Sequence, residues 1–122
     1  MADIVQYTDI IRIQTRSLVD SDKTYLTTTQ REAIERIHQY TEQLAFTANR
    51  VAHTSDEHKA IRHELINILT PIIGYIEMLA DGWMGRLNPD QMAHVDIVQH
   101  ASQALRGIIL TQRHDDQLSD SA

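Results

Sequence analysis

His63 opens the stretch HELINILTPIIGYIEML, whose residue types and spacing are those of a reactive surface. An imidazole is a good nucleophile near neutral pH, because its unperturbed pKa of about 6.5 leaves most of it uncharged. Leu65, Leu69, Ile72, Ile76 and Leu79 recur at alternating spacings of four and three, the seam of a helix that packs lengthwise against other helices. At about 100° of rotation per residue, that seam centres roughly 200° around the axis from His63. The histidine therefore faces outward. Asn67, Thr70 and Gly74 fall within roughly 40° of it on the same stripe, so small and polar groups flank the ring where a partner approaches. Glu64, roughly 100° further round, is placed to hydrogen-bond one ring nitrogen so that the other attacks an electrophile.

A chain of 122 residues has room for one domain with a modest core. Hydrophobic residues at 42% and charged residues at 23% are ordinary for a soluble globular protein, and 5% aromatics imply an aliphatic core. Four glycines and two prolines supply too little turn material for a β fold, so the expected fold class is all-α. Eleven basic against seventeen acidic residues, a formal charge of −6, disfavour nucleic acid and anionic membrane as partners. With no cysteine there is no disulfide framework, thiolate metal site or cysteine nucleophile. No segment approaches the roughly 18 uninterrupted apolar residues of a membrane span, and the start MADIVQYTDIIRIQTR lacks a leader pattern. A soluble, cytoplasmic protein without membrane insertion is expected.

Ile4, Tyr7, Ile11 and Leu18, broadened by Val5 and Ile10, predict a first amphipathic helix over about 3–19, broken by DSDK at 20–23. Thr29 and Glu32 have the spacing of a capping box. A second helix starts there, with the stripe Ile34, Ile37, Leu44, Ala48 and Val51 interrupted by Thr41. At 53–57, Thr54 and Glu57 repeat the capping spacing without glycine or proline. Two outcomes stay open there: a turn, which is preferred, or one long helix from about Gln30 to about Asp81. The helix carrying His63 ends at Asp81-Gly82 with a left-handed glycine cap, and Pro71 kinks it. Asn88-Pro89-Asp90-Gln91 is the clearest helix start in the chain. The last helix buries Val95, Val98, Ala101, Leu105 and Ile108 or Ile109, and the polar sequence from about His114 frays.

This divides the chain into an N-terminal helical pair at 1–54, a helical hairpin at 55–113 and a flexible tail at 114–122. YLTTTQREAIERI at 25–37 echoes RLNPDQMAHVDIV at 86–98. The echo is either a duplicated hairpin or two helix starts obeying the same rules. A duplication lets one chain close a four-helix bundle of antiparallel hairpins alone, whereas an unduplicated hairpin needs a second copy. A homodimer is the expected assembly.

From His63 to Leu105 the sequence resembles the dimerisation and phosphoacceptor domain of sensor histidine kinases. There a helix beginning with a phosphorylatable histidine and an acidic residue leads through a glycine-containing loop to a second helix. His63-Glu64-Leu65, Ile72-Ile73-Gly74-Tyr75, the residues before Asp81-Gly82, and Leu87-Asn88-Pro89-Asp90-Gln91 carry the likeness in order and spacing. The chain departs from the pattern where Ile66, Asn67 and Ile68 stand in place of arginine and threonine-proline or asparagine-proline, and where proline comes later as Pro71.

The resemblance implies phosphoryl exchange between His63 and an aspartate on a response-regulator receiver domain. Glu64 would orient the imidazole, and Asn67 would orient the water that hydrolyses the receiver's phospho-aspartate. Lys59, one turn before His63, and Arg62 beside it are placed to stabilise the transferred charge, while Thr70 and Gly74 belong to the docking surface. Nothing in the 122 residues resembles the family's ATP-binding domain. No cofactor and no autonomous ATP-dependent kinase activity are therefore expected, and a separate histidine-kinase ATPase domain joins the candidate partners. The alternative is a noncatalytic dimerisation or interaction module that modulates a histidine kinase or response regulator.

The other histidines carry blander expectations. His58 and His94 lie near helix seams and should be packed, and His100 points outward without a companion. His53, His58 and His63 are spaced by five, which scatters them around a helix, so no metal site is expected. Trp83 should plug the end of the bundle, or else stand exposed in its loop as a partner anchor.

Overall fold

The structure, a computed structural model, describes residues 2–20, 26–53 and 58–120, with side chains over 4–20, 26–50 and 60–111. Its elements are α1 (Ala2–Asp20), α2 (Thr28–His53), α3 (His58–Ala80) and α4 (Pro89–Asp120). Among the described residues there is no strand, and no helix is long and apolar enough to cross a membrane. Helices α1 and α3 each pack side by side with both α2 and α4, while the backbones of the diagonal pairs stay further apart among the described residues. The expected all-α class holds: antiparallel hairpins close a four-helix bundle.

The α3 seam of Leu65, Leu69, Ile72, Ile76 and Leu79 is at most 1% exposed. The chain's own helices fill it, so no second copy is needed to cover it. Helix α1 contributes Ile4, Thr8, Ile11, Thr15 and Leu18, α2 contributes Gln30, Ile34, Ile37, Thr41, Leu44 and Ala48, and α4 contributes Gln91, Val95, Val98, Ser102, Leu105 and Ile109. The three-and-four alternation thus runs unbroken through polar positions as well. Thr8 donates its hydroxyl to the Ile4 carbonyl at 2.7 Å, and Thr41 does the same to Ile37 at 2.6 Å. Ser102 likewise bonds the Val98 carbonyl. Bonding one turn back satisfies a hydroxyl that the seam has buried.

The helix starts refine the sequence pattern. Asn88 and Gln91 form a reciprocal capping box, each backbone N–H donating to the other's side-chain oxygen at 2.8 Å, with Pro89 at the first helical position. The second helix is capped by Thr27 with Gln30, not by Thr29 with Glu32. The Thr27 N–H donates to Gln30 Oε1 at 2.8 Å and the Gln30 N–H to Thr27 Oγ1 at 3.0 Å. Gln30 is buried, so the box that wins is the one whose amide also packs. Thr27 Oγ1 further donates to the Met84 carbonyl at 3.0 Å, joining the start of α2 to the loop after α3.

Helix α3 ends as its glycine implies. Trp83 N–H donates to the Met78 carbonyl at 3.2 Å and Gly82 N–H to the Leu79 carbonyl at 3.3 Å. With Gly82 at φ +80 this is a Schellman cap. Trp83 does not plug the bundle; it is 81% exposed. That end is closed by Leu87, and Gly85 comes so close to α2 that an added Cβ would lie 3.2 Å from Gln30 Nε2.

Helix α3 runs through Pro71 without ending there. Helices α2 and α3 pack side by side as separate elements, which bears out the turn between them; Thr54 and Glu57 lie outside the described residues. Helix α4 continues to Asp120 instead of ending near His114. No glycine or proline follows Gly107 to stop it.

Candidate functional site

His63 sits in the second turn of α3 and is exposed. Its position follows from the seam: with Leu65 and Leu69 turned inward, a residue two before Leu65 must lie on the far side. Among the described residues its ring has neither a hydrogen-bond partner nor an ion pair, and the N-terminal helices do not cover it. Asn67 and Thr70 are exposed on the same helix. Thr70 spends its hydroxyl on the Ile66 carbonyl at 2.7 Å. Asn67, four residues after His63, is the neighbour a helix stacks directly beside it.

Gly74 is half-buried, and a Cβ built on it meets nothing within 4 Å. Among the described residues nothing requires glycine there. Glu64 is also exposed, but its carboxylate lies 3.4 Å from the Arg50 guanidinium on α2 rather than on the His63 ring.

Arg62 departs from its expected place. It is 3% exposed and so is not presented beside His63 for docking. Running the seam back from Leu69 and Leu65 by three more residues lands on Arg62, which puts it inside the bundle. Lys59 belongs to α3, and its side chain falls outside the described residues. His58 and His53 share that exclusion. His94 is partly buried as expected, its Nδ1 lying 2.6 Å from Gln14 Oε1 of α1. His100 is exposed, its Nδ1 2.7 Å from the Asp96 carbonyl.

Two residues of α2 join the site that the sequence pattern did not single out. Arg50 is one. The other is Phe46, 68% exposed, which with Glu42, Gln43, Thr47, Glu64 and Ile68 lines an open groove of about 370 Å³ between α2 and α3. Its one available signal is that the chain's single phenylalanine lies two residues past Leu44, off the buried stripe. The site therefore offers an open imidazole, an amide one turn along, a carboxylate beside an arginine, and a groove on the α2 side lined by Phe46 and Ile68 among polar residues.

Residues 55–111 match the family model described as the His Kinase A (phospho-acceptor) domain. Comparison with curated proteins and with solved structures finds no match. The matched span holds all of α3 and the body of α4, and the likeness read from His63 to Leu105 lies inside it. Over residues 55–111 the chain is thus similar to the His Kinase A (phospho-acceptor) domain, a likeness to the two-component signalling kind that spans α3 and most of α4.

Proposed function

We propose that the chain exchanges a phosphoryl group between His63 and an aspartate on a response-regulator receiver domain. The observation that carries this is the exposed imidazole of His63 on the outer face of α3. In the step proposed, a ring nitrogen of His63 attacks the phosphorus of an aspartyl phosphate. A P–N bond forms, the P–O bond to the carboxylate breaks, and the carboxylate leaves as the anion; the reverse step restores the receiver's phosphate. Glu64 positions the ring by accepting from its other nitrogen, and Asn67 orients water when the phospho-aspartate is hydrolysed instead. The receiver docks over Thr70 and Gly74 and against the α2–α3 groove, with Lys59 countering the charge of the transferred group. A histidine-kinase ATPase domain on a separate chain is the class of donor that would load His63, and the exchange takes place in the cytoplasm.

Incubation with a receiver carrying radiolabelled phospho-aspartate should place acid-labile label on His63 or speed loss of label from the receiver, and His63→Ala should abolish both. Neither effect with the native chain would sink the proposal. The contact between Glu64 and Arg50 favours the second reading, a noncatalytic module that modulates a kinase or receiver. Binding of a receiver that His63→Ala leaves unchanged, with no label transferred, is its signature.

A further inference from the structure

The N-terminal pair repeats the seam of the C-terminal hairpin at a fixed interval. Ile4 and Leu65, Ile11 and Ile72, and Leu18 and Leu79 are buried counterparts on α1 and α3, each pair 61 positions apart. On α2 and α4 the capping boxes Thr27–Gln30 and Asn88–Gln91 stand at the same interval and make the same two bonds. So do Thr41 and Ser102, the buried hydroxyls that each bond a carbonyl four residues back. Packing and capping rules would align either pair of helices alone. They do not require one interval to serve both pairs, which also demands that the connections match in length. The packing has the same symmetry: exchanging α1 and α2 for α3 and α4 leaves every helix contact in place.

We infer that α1 and α2 are a built-in second hairpin, occupying the place that a second copy of α3 and α4 would take. The chain then closes its bundle as a monomer in place of the expected homodimer. The two halves are not equivalent. Sixty-one positions before His63 stands Ala2, followed by Asp3 and Gln6 where the C-terminal half has Glu64 and Asn67. The counterpart of the exposed Phe46 is Gly107. At these counterpart positions the α1–α4 face therefore lacks both the imidazole and the aromatic side chain that α3 and α2 carry. That one face serves one receiver rests on the phosphotransfer reading; the single-chain assembly does not.

The test reads assembly without phosphate. Light scattering of the full chain across a dilution series should give the 14.0 kDa mass of one chain. Gln14 and His94 touch across α1 and α4 at 2.6 Å, and the sequence contains no cysteine. Gln14→Cys with His94→Cys, joined by a short bis-maleimide, should therefore link within one chain on a denaturing gel. A persistent mass of two chains, or a link that joins two chains, overturns the inference. Either result leaves label transfer to His63 to be judged by its own experiment.

Discussion

The carboxylate of Glu64 lies 3.4 Å from the Arg50 guanidinium, tying α3 to α2 one residue past His63. Both side chains are more than 40% exposed, so solvent screens the pair and its contribution to stability is under about 1 kcal/mol. Glu64→Gln should leave the denaturation midpoint nearly unchanged while slowing transfer to His63 on the order of 10²-fold, the scale of losing a proton acceptor. Equal rates for the two proteins would remove Glu64 from the chemistry. Arg50→Ala, which releases Glu64, should not slow transfer.

In the proposed exchange, Asn67 would separate two outcomes of one docking event. Asn67→Ala should still accept label on His63 but should lose most of the accelerated hydrolysis of receiver phosphate. Time courses of free phosphate and protein-bound label tell them apart, and parallel loss of both would assign Asn67 to docking alone.

Gly74 distinguishes folding from partner approach. Its Cβ position is empty within the chain, so Gly74→Ala should stabilise α3 by about 0.5–1 kcal/mol through helix propensity. The same methyl should weaken transfer from a receiver. Urea denaturation and label transfer should move in opposite directions.

Buried polar and apolar seam positions should respond in opposite senses. Leu69→Ala opens a cavity in a fully packed layer and should cost about 2–5 kcal/mol. Thr8→Val, at the register position of Leu69 on α1, removes a hydroxyl whose acceptor, the Ile4 carbonyl, keeps its helical N–H partner. It should be neutral or stabilising by up to about 1 kcal/mol. Denaturant midpoints measure both, and a large loss for Thr8→Val would show that its hydroxyl organises the seam.

The caps carry a similar comparison. Asn88→Ala should cost about 0.5–2 kcal/mol. Thr27→Ala should cost at least as much, because Thr27 also holds the Met84 carbonyl. Equilibrium unfolding of the two variants decides the order.

What was legible in the sequence was whatever depends on spacing alone. Leucines and isoleucines at alternating three and four positions named the buried side of α3 and, by subtraction, the open side with His63. Asn88 was legible because proline follows it. Among Thr27, Thr28 and Thr29 each hydroxyl is an equal candidate, and the choice of Thr27 is made by the packing of Gln30, which local sequence does not show. Thr8, Thr41 and Ser102 are hidden because a hydropathy pattern reads a hydroxyl as a gap, although a bond to the preceding turn lets it be buried. Arg62 is the converse case: its charge argues for the surface while its position in the alternation argues for the interior, and position prevails. Phe46 and Arg50 belong to the site through the pairing of α2 with α3, which only the tertiary arrangement supplies. Of the two places open to Trp83, the exposed loop is the one it takes, because it follows directly on the Gly82 cap that ends α3.

A bundle completed within one polypeptide escapes a constraint that binds every self-complementary pair. In an isologous interface each inherited change appears twice and must be compatible with its own reflection. In the single-chain assembly inferred above, each codon is expressed at a single place in the bundle, so drift around Ala2 and Gly107 would leave the neighbourhood of His63 untouched. Under the proposed exchange, selection could adjust the His63 side for a new receiver while the opposite side drifts independently.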